Sequence, residues 1–140
     1  MKKLFLVRHA DYSGGTDPGL SEFGREQSLR LANRIKANLN GGDVVIWVST
    51  AKRAQETAQI IKQEMQLADL FVNEKLWSDN RHPHDFNWLK DQLDNFNGEN
   101  LIIVSHLEYV RQFPGRLGFS QNNAGYAEGV LIHQGKCVDV

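Results

Sequence analysis

Lys3-Leu4-Phe5-Leu6-Val7-Arg8-His9 opens the chain with a short apolar run that ends in two polar residues. Such a run is typical of a buried strand that delivers its last side chains to the edge of a sheet. Leu101-Ile102-Ile103-Val104-Ser105-His106 repeats this arrangement later in the chain. Because ligand sites in open α/β sheets lie beyond the carboxyl ends of the strands, we expect Arg8, His9 and His106 to meet at one rim.

Composition and charge bound the class of protein. The 140 residues are enough for one hydrophobic core, so we expect a single domain over residues 1–140. Sixteen Lys+Arg against 17 Asp+Glu give a net charge of -1, which offers no basic field to nucleic acid or to a membrane surface. The single cysteine, Cys137, excludes an intramolecular disulfide and a multi-cysteine metal site. The apolar run at 4–7 is too short for the core of a signal peptide, so we expect a cytoplasmic protein. We also expect a monomer or weak dimer.

Strand and helix patterns alternate along the chain. The predicted strands cover residues 3–8, 44–48, 70–72 and 101–104, with a closing hairpin at 130–133 and 137–140. The predicted helices run from the N-cap Ser21 to the stop at Asn40-Gly41-Gly42, then over 51–65, 86–96 and 107–116, the last broken at Pro114. This alternation predicts a layered α/β domain with a mostly parallel sheet.

Arginine and histidine residues at or shortly after predicted strand ends favour phosphate chemistry. The planar arginine fork holds two phosphoryl oxygens at once. A neutral imidazole is a competent nucleophile when its other nitrogen is tied to an acceptor. Arg53 falls in the first turn of the helix after the strand at 44–48, where free amides and the helix dipole also favour an anion. Each residue alone is more often structural, but Arg8, His9, Arg53 and His106 together favour a phosphate site.

Five segments, in this order, resemble the histidine phosphatase superfamily, which includes the cofactor-dependent phosphoglycerate mutases. They are residues 6–10 (LVRHA), 17–24 (DPGLSEFG), 49–58 (STAKRAQETA), 104–106 (VSH) and 125–130 (GYAEGV). The short chain and the Ser-His-Leu that contains the second histidine are most similar to the SixA-type phosphohistidine phosphatases.

The resemblance implies a three-layer α/β/α sandwich and a metal-independent phosphatase. His9 would be the nucleophile that takes the phosphoryl group and is then freed by water. Arg8, Arg53 and His106 would hold the phosphoryl oxygens and offset the charge of an in-line transfer. No metal or other cofactor is implied, since the two arginines and the second histidine supply the positive field.

The proton donor is the least defined part of this interpretation. Larger relatives use an acidic residue after the third strand, which implies Glu74, Asp79 or Asp85 here, with His82 and His84 alongside. Asp79 is preferred by position as a third catalytic residue. A phosphohistidine has a leaving imidazole that protonates readily, so the absence of a clear acid favours phosphohistidine in a phosphoprotein as the substrate.

Other interpretations stay open. Ala10 stands where the family has glycine, and its methyl group excludes backbone conformations that glycine allows. A non-catalytic module that binds phosphorylated ligands is therefore one alternative, and a phosphomonoesterase for small molecules with the same fold is another. The segment at 82–85 allows a metal site, although two loop histidines and an aspartate more often bind metal adventitiously.

Loops and aromatic residues around the predicted pocket raise two further points. We expect motion of the loops at 11–19 and 77–85 to gate the pocket. Four aromatic residues either form a wall around the substrate or pack in the core and rim, with packing favoured: Tyr12, Trp77, Phe86 and Trp88.

Overall fold

A central sheet of six strands carries the fold. The structure is a computed structural model that describes residues 2–140. Its strands are β1 (Lys3–Arg8), β2 (Val44–Val48), β3 (Phe71–Val72), β4 (Asn100–Ser105), β5 (Gly129–His133) and β6 (Lys136–Asp139). Their order is β3-β2-β4-β1-β5-β6, with parallel pairing from β3 to β1 and antiparallel pairing of β1 with β5 and of β5 with β6. The prediction of a mostly parallel sheet is confirmed.

Four helices cover the two faces of this sheet. They are α1 (Glu22–Ala37), α2 (Lys52–Glu64), α3 (Phe86–Asp94) and α4 (Leu107–Gln112). Because side chains alternate along a strand, Phe5 and Val7 pack with α1 and α2, whereas Leu4 and Leu6 pack with α3 and α4. The resulting three layers confirm the α/β/α sandwich. Within residues 2–140, no helix combines the length and apolar character that crossing a membrane requires.

The end of α4 differs from the sequence prediction for a local reason. The helix predicted to reach Arg116 ends at Gln112 and continues as a 3₁₀ turn over Phe113–Leu117. Pro114 has no N–H to donate to the carbonyl of Val110, so the α-helical ladder stops there. Asn122 replaces the missing donor, since its Nδ2 donates to the Val110 carbonyl at 2.8 Å.

The loop after β1 is anchored directly behind His9. Ser21 is the N-cap of α1, as predicted, and its hydroxyl accepts from the Gly24 N–H. The same hydroxyl donates to the Asp11 carboxylate at 2.7 Å. A Cβ at Gly24 would collide with the Asp11 carbonyl, so glycine is required for α1 to pack this closely on the loop. This contact fixes the start of the loop beside the candidate site.

Candidate active site

The ends of β1 and β4 bring the two predicted histidines together. These strands are adjacent and parallel, with Arg8 opposite Ser105, so His9 and His106 leave the sheet at the same edge. The centroids of the two imidazole rings are 5.0 Å apart. His9 is 3% exposed and His106 is 2% exposed, so both rings lie beneath the surface.

His9 is held in one tautomer. Its Nδ1 lies 2.9 Å from the Ala10 carbonyl oxygen, and since a carbonyl can only accept, Nδ1 carries the proton. Nε2 therefore has a free lone pair, which accepts from Nε of Arg53 at 3.3 Å. Burial lowers the pKa of His9 to about 4; the Ala10 hydrogen bond opposes this shift, and the charges of Arg53 and Arg8 add to it. The ring is neutral at pH 7, with its nucleophilic nitrogen towards an arginine.

Ala10 fits its position without backbone strain. Its φ is not positive, so the left-handed conformation that would require glycine is not used. The Ala10 N–H donates to Oγ1 of Thr57 at 3.0 Å, and the Thr57 hydroxyl donates to the Arg53 carbonyl at 2.9 Å. These bonds tie the residue after His9 to the first turns of α2.

Arg53 lies between the two histidines. In addition to its contact with His9, its Nη2 is 3.5 Å from Nδ1 of His106. The helix that carries Arg53 has no side-chain cap of its own, but the Lys52 N–H donates to Oδ1 of Asp17 at 2.8 Å. The loop after β1 thus holds the start of α2, which in turn positions the guanidinium.

His106 has the opposite tautomer to His9. Because Nη2 of Arg53 can only donate, Nδ1 of His106 is an acceptor and Nε2 carries the proton. Nε2 donates to Oγ of Ser49 at 2.8 Å, and the same oxygen accepts from the Ala51 N–H at 3.1 Å. Burial lowers the pKa of His106 to about 2, with His9 and Arg53 adding to the effect.

Arg8 lies on another side of the pair of histidines, at the end of β1. The centre of the Tyr126 ring is 4.3 Å from its Cζ, and its Nη1 donates to the Ala124 carbonyl at 3.5 Å. Its Nε is buried and has no hydrogen-bond partner within residues 2–140. Burial lowers the pKa of Arg8. A buried guanidinium with an unused donor is suited to an anion that supplies the missing acceptor.

Two aromatic side chains from the loops cover Arg53. The ring centres of Tyr12 and Trp77 lie 4.9 and 5.7 Å from its Cζ. Trp77 also stacks on His106, with ring centroids 6.0 Å apart. The loops at 11–19 and 77–85 therefore contribute side chains to the site, and their motion as gates stays a prediction.

The four aromatic residues considered from the sequence divide between two environments. Tyr12 and Trp77 belong to the site, whereas Phe86 and Trp88 pack against the core between the sheet and helices α3 and α4. Packing is thus the role of half the set. Tyr126 completes the aromatic lining next to Arg8, and the sequence analysis assigned it no role.

Comparison with known families agrees with this arrangement of residues. The family profile described as histidine phosphatase superfamily (branch 1) matches residues 4–77, a span that includes Arg8, His9 and Arg53. This chain belongs to the histidine phosphatase superfamily. The resemblance found in the sequence is therefore confirmed.

Solved structures and curated relatives of the superfamily extend the comparison. Protein histidine phosphatase SixA, complexed with tungstate, has a TM-score of 0.83 at 19% identity, covering 99% of this chain and 94% of that one. Phosphoserine phosphatase from Entamoeba histolytica, solved as a mutant with phosphoserine, has a TM-score of 0.70 at 19% identity, covering 99% and 95%. At such identities the likeness shows the fold alone.

A phosphoglycerate mutase is a more similar relative in sequence. The 2,3-bisphosphoglycerate-dependent phosphoglycerate mutase of Parvibaculum lavamentivorans is 31% identical over 121 residues, which are 80% of this chain and 57% of the mutase. The chain therefore spans little more than half the length of this relative. The activity of the longer protein does not transfer to this superfamily member by similarity.

Asp79, the acid preferred from the sequence, accepts several hydrogen bonds. Trp77 donates Nε1–H to Oδ2 at 2.8 Å, while the Nδ1 of His82 and the N–H groups of Arg81 and His82 contact Oδ1 at 2.8 Å. Partial burial raises the pKa of Asp79, but the bonds from His82, Arg81 and Trp77 outweigh it and lower the pKa to about 2. A carboxyl group with this pKa is ionised at neutral pH, which argues against Asp79 as the proton donor.

The other two carboxylates considered from the sequence, Asp85 and Glu74, lie in different surroundings. Asp85 is the N-cap of α3 and accepts from the Trp88 N–H at 2.9 Å, and Glu74 is exposed. Glu108, which the sequence analysis did not consider, is half-buried and accepts from the hydroxyl of buried Ser78 at 2.8 Å. Glu108 is two residues after His106 in the sequence, and this short spacing could have indicated a carboxylate near the site.

The histidines at 82–85 do not converge. His82 stacks on Trp77 with ring centroids 4.2 Å apart, and His84 stacks on Phe86 with centroids 4.1 Å apart. In the part of the chain that the structure describes, no group of three His, Cys, Asp or Glu side chains is arranged to hold a metal ion.

Two supporting hydroxyls were also missed in the sequence analysis. Ser49 accepts from His106, and Thr57 links Ala10 to Arg53. Both lie in the segment at 49–58, where Thr57 is four residues after Arg53 and so shares its helix face. Helical spacing around Arg53 could therefore have indicated Thr57.

The two buried histidines make the stability of the fold sensitive to acid. Their folded pKa values, about 4 for His9 and about 2 for His106, lie below the ordinary value of 6.5. The unfolded chain therefore binds more protons, and we expect the free energy of unfolding to fall as the pH drops below 6.5, by up to about 1.4 kcal/mol per pH unit for each histidine. Denaturant unfolding of the wild type and His9→Gln between about pH 6.5 and 4.5 measures this slope.

His9→Gln should show about half of this acid sensitivity, since one of the two buried imidazoles has been removed. Asp79 contributes little in this window because its ordinary pKa of 3.8 lies below it. An identical slope in the variant and the wild type would contradict the assignment of His9 as a neutral buried base.

Proposed function

We propose that this chain is a metal-independent phosphatase that hydrolyses phosphoryl groups through a phosphohistidine intermediate on His9. The observation that carries the proposal is the state of His9: a neutral ring with Nδ1–H bonded to Ala10 and a free Nε2 lone pair next to Arg53. Membership of the histidine phosphatase superfamily supports a phosphatase.

The proposed reaction has two in-line steps. Nε2 of His9 attacks the phosphorus, so that an N–P bond forms while the bond to the leaving group breaks. Arg8, Arg53 and His106 hold the phosphoryl oxygens and offset their charge. Water then attacks the phosphorus, the N–P bond breaks, and phosphate leaves with His9 neutral again. Splitting one difficult transfer into two easier ones is the gain from covalent catalysis.

His106 would change its proton state during this cycle. In the structure its Nδ1 accepts from Arg53, and burial holds its pKa near 2. A phosphoryl dianion beside the ring would raise that pKa, because an opposite charge favours the charged form. His106 would then donate from Nδ1 to a phosphoryl oxygen while Nε2 stays bonded to Ser49.

We propose phosphohistidine in a phosphoprotein as the substrate. The leaving imidazole of a phosphoramidate takes up a proton readily, so the reaction makes little demand on an acid of the enzyme. Asp79 supports this choice, since hydrogen bonds keep its carboxylate ionised. The hydrogen bonds to its carboxylate therefore argue against the predicted role of Asp79 as the catalytic acid.

The experiment compares hydrolysis of a phosphohistidine peptide with hydrolysis of p-nitrophenyl phosphate by the wild type. We expect turnover of both and a higher kcat/KM for the peptide. A preference for small phosphate esters would favour the alternative of a small-molecule phosphomonoesterase. Binding of inorganic phosphate with turnover of neither substrate would indicate a non-catalytic module and contradict the proposal.

The sequence also supports a proposal for the domain organisation, oligomeric state, location and partners of the protein. We propose that residues 1–140 form one domain that acts as a monomer or weak dimer in the cytoplasm. Its partners would be a phosphorylated protein or a small phosphorylated substrate, and neither nucleic acid nor a membrane. The net charge of -1 supports the last point.

A further inference from the structure

Two arginines share one backbone carbonyl beside the candidate site. The Ala124 carbonyl oxygen accepts from Nε of Arg111 at 3.0 Å and from Nη1 of Arg8 at 3.5 Å. Arg111 is on α4 and Arg8 ends β1, so elements far apart in sequence bring their guanidinium groups side by side. One of the two, Arg8, also belongs to the proposed phosphoryl site.

The shared carbonyl is held firmly in place. Asn122 donates from Nδ2 to the Val110 carbonyl at 2.8 Å, and its Oδ1 accepts from the Ala124 N–H at 3.0 Å. The Asn122 N–H also donates to the Arg111 carbonyl at 3.3 Å. The loop before β5 is therefore attached to α4, and the two guanidinium groups are positioned by a rigid frame.

The positive charges of the pair lack a direct carboxylate partner in the described part of the chain. Within residues 2–140, neither Arg8 nor Arg111 has a carboxylate at ion-pair distance. Burial lowers the pKa of Arg8, Tyr126 opposes the shift, and the like charge of Arg111 lowers it further, by more than Glu108 raises it. A carbonyl carries only a partial negative charge and Glu108 offsets less than Arg111 adds, so the pair keeps a net positive charge.

We propose that Arg8 and Arg111 form a second anion subsite that binds a carboxylate of the substrate next to its phosphoryl group. This inference rests on the proposed function and narrows its substrate class. Arg111 is half-buried, and in the described part of the chain its two terminal nitrogens donate to no protein group. The arginine fork matches the two oxygens of a carboxylate, and the anion would relieve the repulsion between the guanidinium groups.

The test uses pairs of aryl phosphates that differ only in charge. Each pair consists of a carboxyphenyl phosphate and the matching carbamoylphenyl phosphate, substituted at the 3- or 4-position. The readout is the ratio of kcat/KM for the acid to that for the amide, in the wild type and in Arg111→Gln. The acid and the amide differ in the reactivity of their leaving groups, but this difference is the same for both enzymes. It therefore cancels when the ratio for Arg111→Gln is compared with the ratio for the wild type. We expect the ratio to fall about tenfold in Arg111→Gln, mainly through KM, since a lost charge-assisted pair is worth about that factor.

Arg30→Gln is the matched control. Arg30 is exposed on α1 and pairs with Glu26 at 3.3 Å, so removing its charge should leave the ratio at the wild-type value. If circular dichroism shows that Arg111→Gln is unfolded, Arg111→Lys replaces it. Lysine keeps the positive charge but not the fork, and the ratio should fall by a smaller factor.

The outcomes separate this inference from the proposed function. Turnover of all four substrates with the same ratio in the wild type and the Arg111 variant would overturn the subsite and leave the phosphatase intact. If the wild type turned over neither the four aryl phosphates nor a phosphohistidine peptide, the result would contradict the phosphatase, and the subsite with it. Phosphohistidine peptides with Glu or Gln beside the phosphohistidine show whether the carboxylate is protein-borne: a preference for Glu that Arg111→Gln removes supports a phosphoprotein.

Discussion

Replacement of His9 by alanine should reduce turnover of the phosphohistidine peptide by at least about 10³-fold, because it removes the nitrogen proposed to form the phosphohistidine intermediate. The remaining arginines and His106 would still bind phosphate, so inhibition by inorganic phosphate should persist. Trapping supplies a second readout: wild type mixed with labelled substrate and quenched in alkali should retain label that acid releases, and His9→Ala should retain none.

His133, a histidine outside the candidate site, provides the control for this loss of activity. His133 lies on β5 beside the start of β1, at the opposite edge of the sheet from His9, so His133→Ala should keep wild-type turnover. Thermal unfolding shows whether the His9 variant is folded when its activity is measured. Full activity in folded His9→Ala would contradict the proposed nucleophile, whatever the substrate.

Arg53→Ala should lower kcat/KM by about 10²- to 10³-fold, the usual result of removing one donor that stabilises transition-state charge. The guanidinium contacts Nε2 of His9 at 3.3 Å and Nδ1 of His106 at 3.5 Å, so its loss affects both histidines. The inhibition constant for inorganic phosphate should rise several-fold or more. Unchanged phosphate inhibition would remove Arg53 from the phosphoryl site.

The same variant makes a prediction about proton binding. Because the charge of Arg53 lowers the pKa of both His9 and His106, Arg53→Ala should raise both values, which NMR titration of the imidazole protons measures. Lys52→Ala is the matched control, since this neighbouring side chain is exposed and its backbone N–H keeps the bond to Asp17. Downward or absent shifts in Arg53→Ala would contradict the electrostatic role.

Much of the fold could be predicted because local pattern and tertiary structure agree. The apolar run at 3–8 forms β1, and the β-branched run at 44–48 forms β2. Helix α1 begins after its predicted N-cap, Ser21. The predicted end of α4 was less accurate, because the helix stops near Pro114. Asn122, from a later loop, donates the hydrogen bond to the Val110 carbonyl that Pro114 cannot donate.

The sequence by itself determined the chemistry at the strand ends. Parallel β1 and β4 place whatever follows them at one edge of the sheet, so Arg8, His9 and His106 had to meet once both runs became neighbouring strands. Arg53 was predictable for a similar reason, since it lies in the first turn of the helix after β2. The Ala10 backbone, the tautomers and the low pKa values were not predictable, because they depend on Thr57, Ser49 and burial.

Only the tertiary structure decided which groups surround these residues. Tyr126, Ala124 and Arg111 reach Arg8 through a loop and a helix whose positions leave no periodic signal in the sequence. Asp79 shows the converse case: its place in the sequence suggested an acid, but hydrogen bonds from its own loop keep it ionised. Strand periodicity specifies where a side chain leaves the sheet, whereas its charge state depends on neighbours that packing alone assembles.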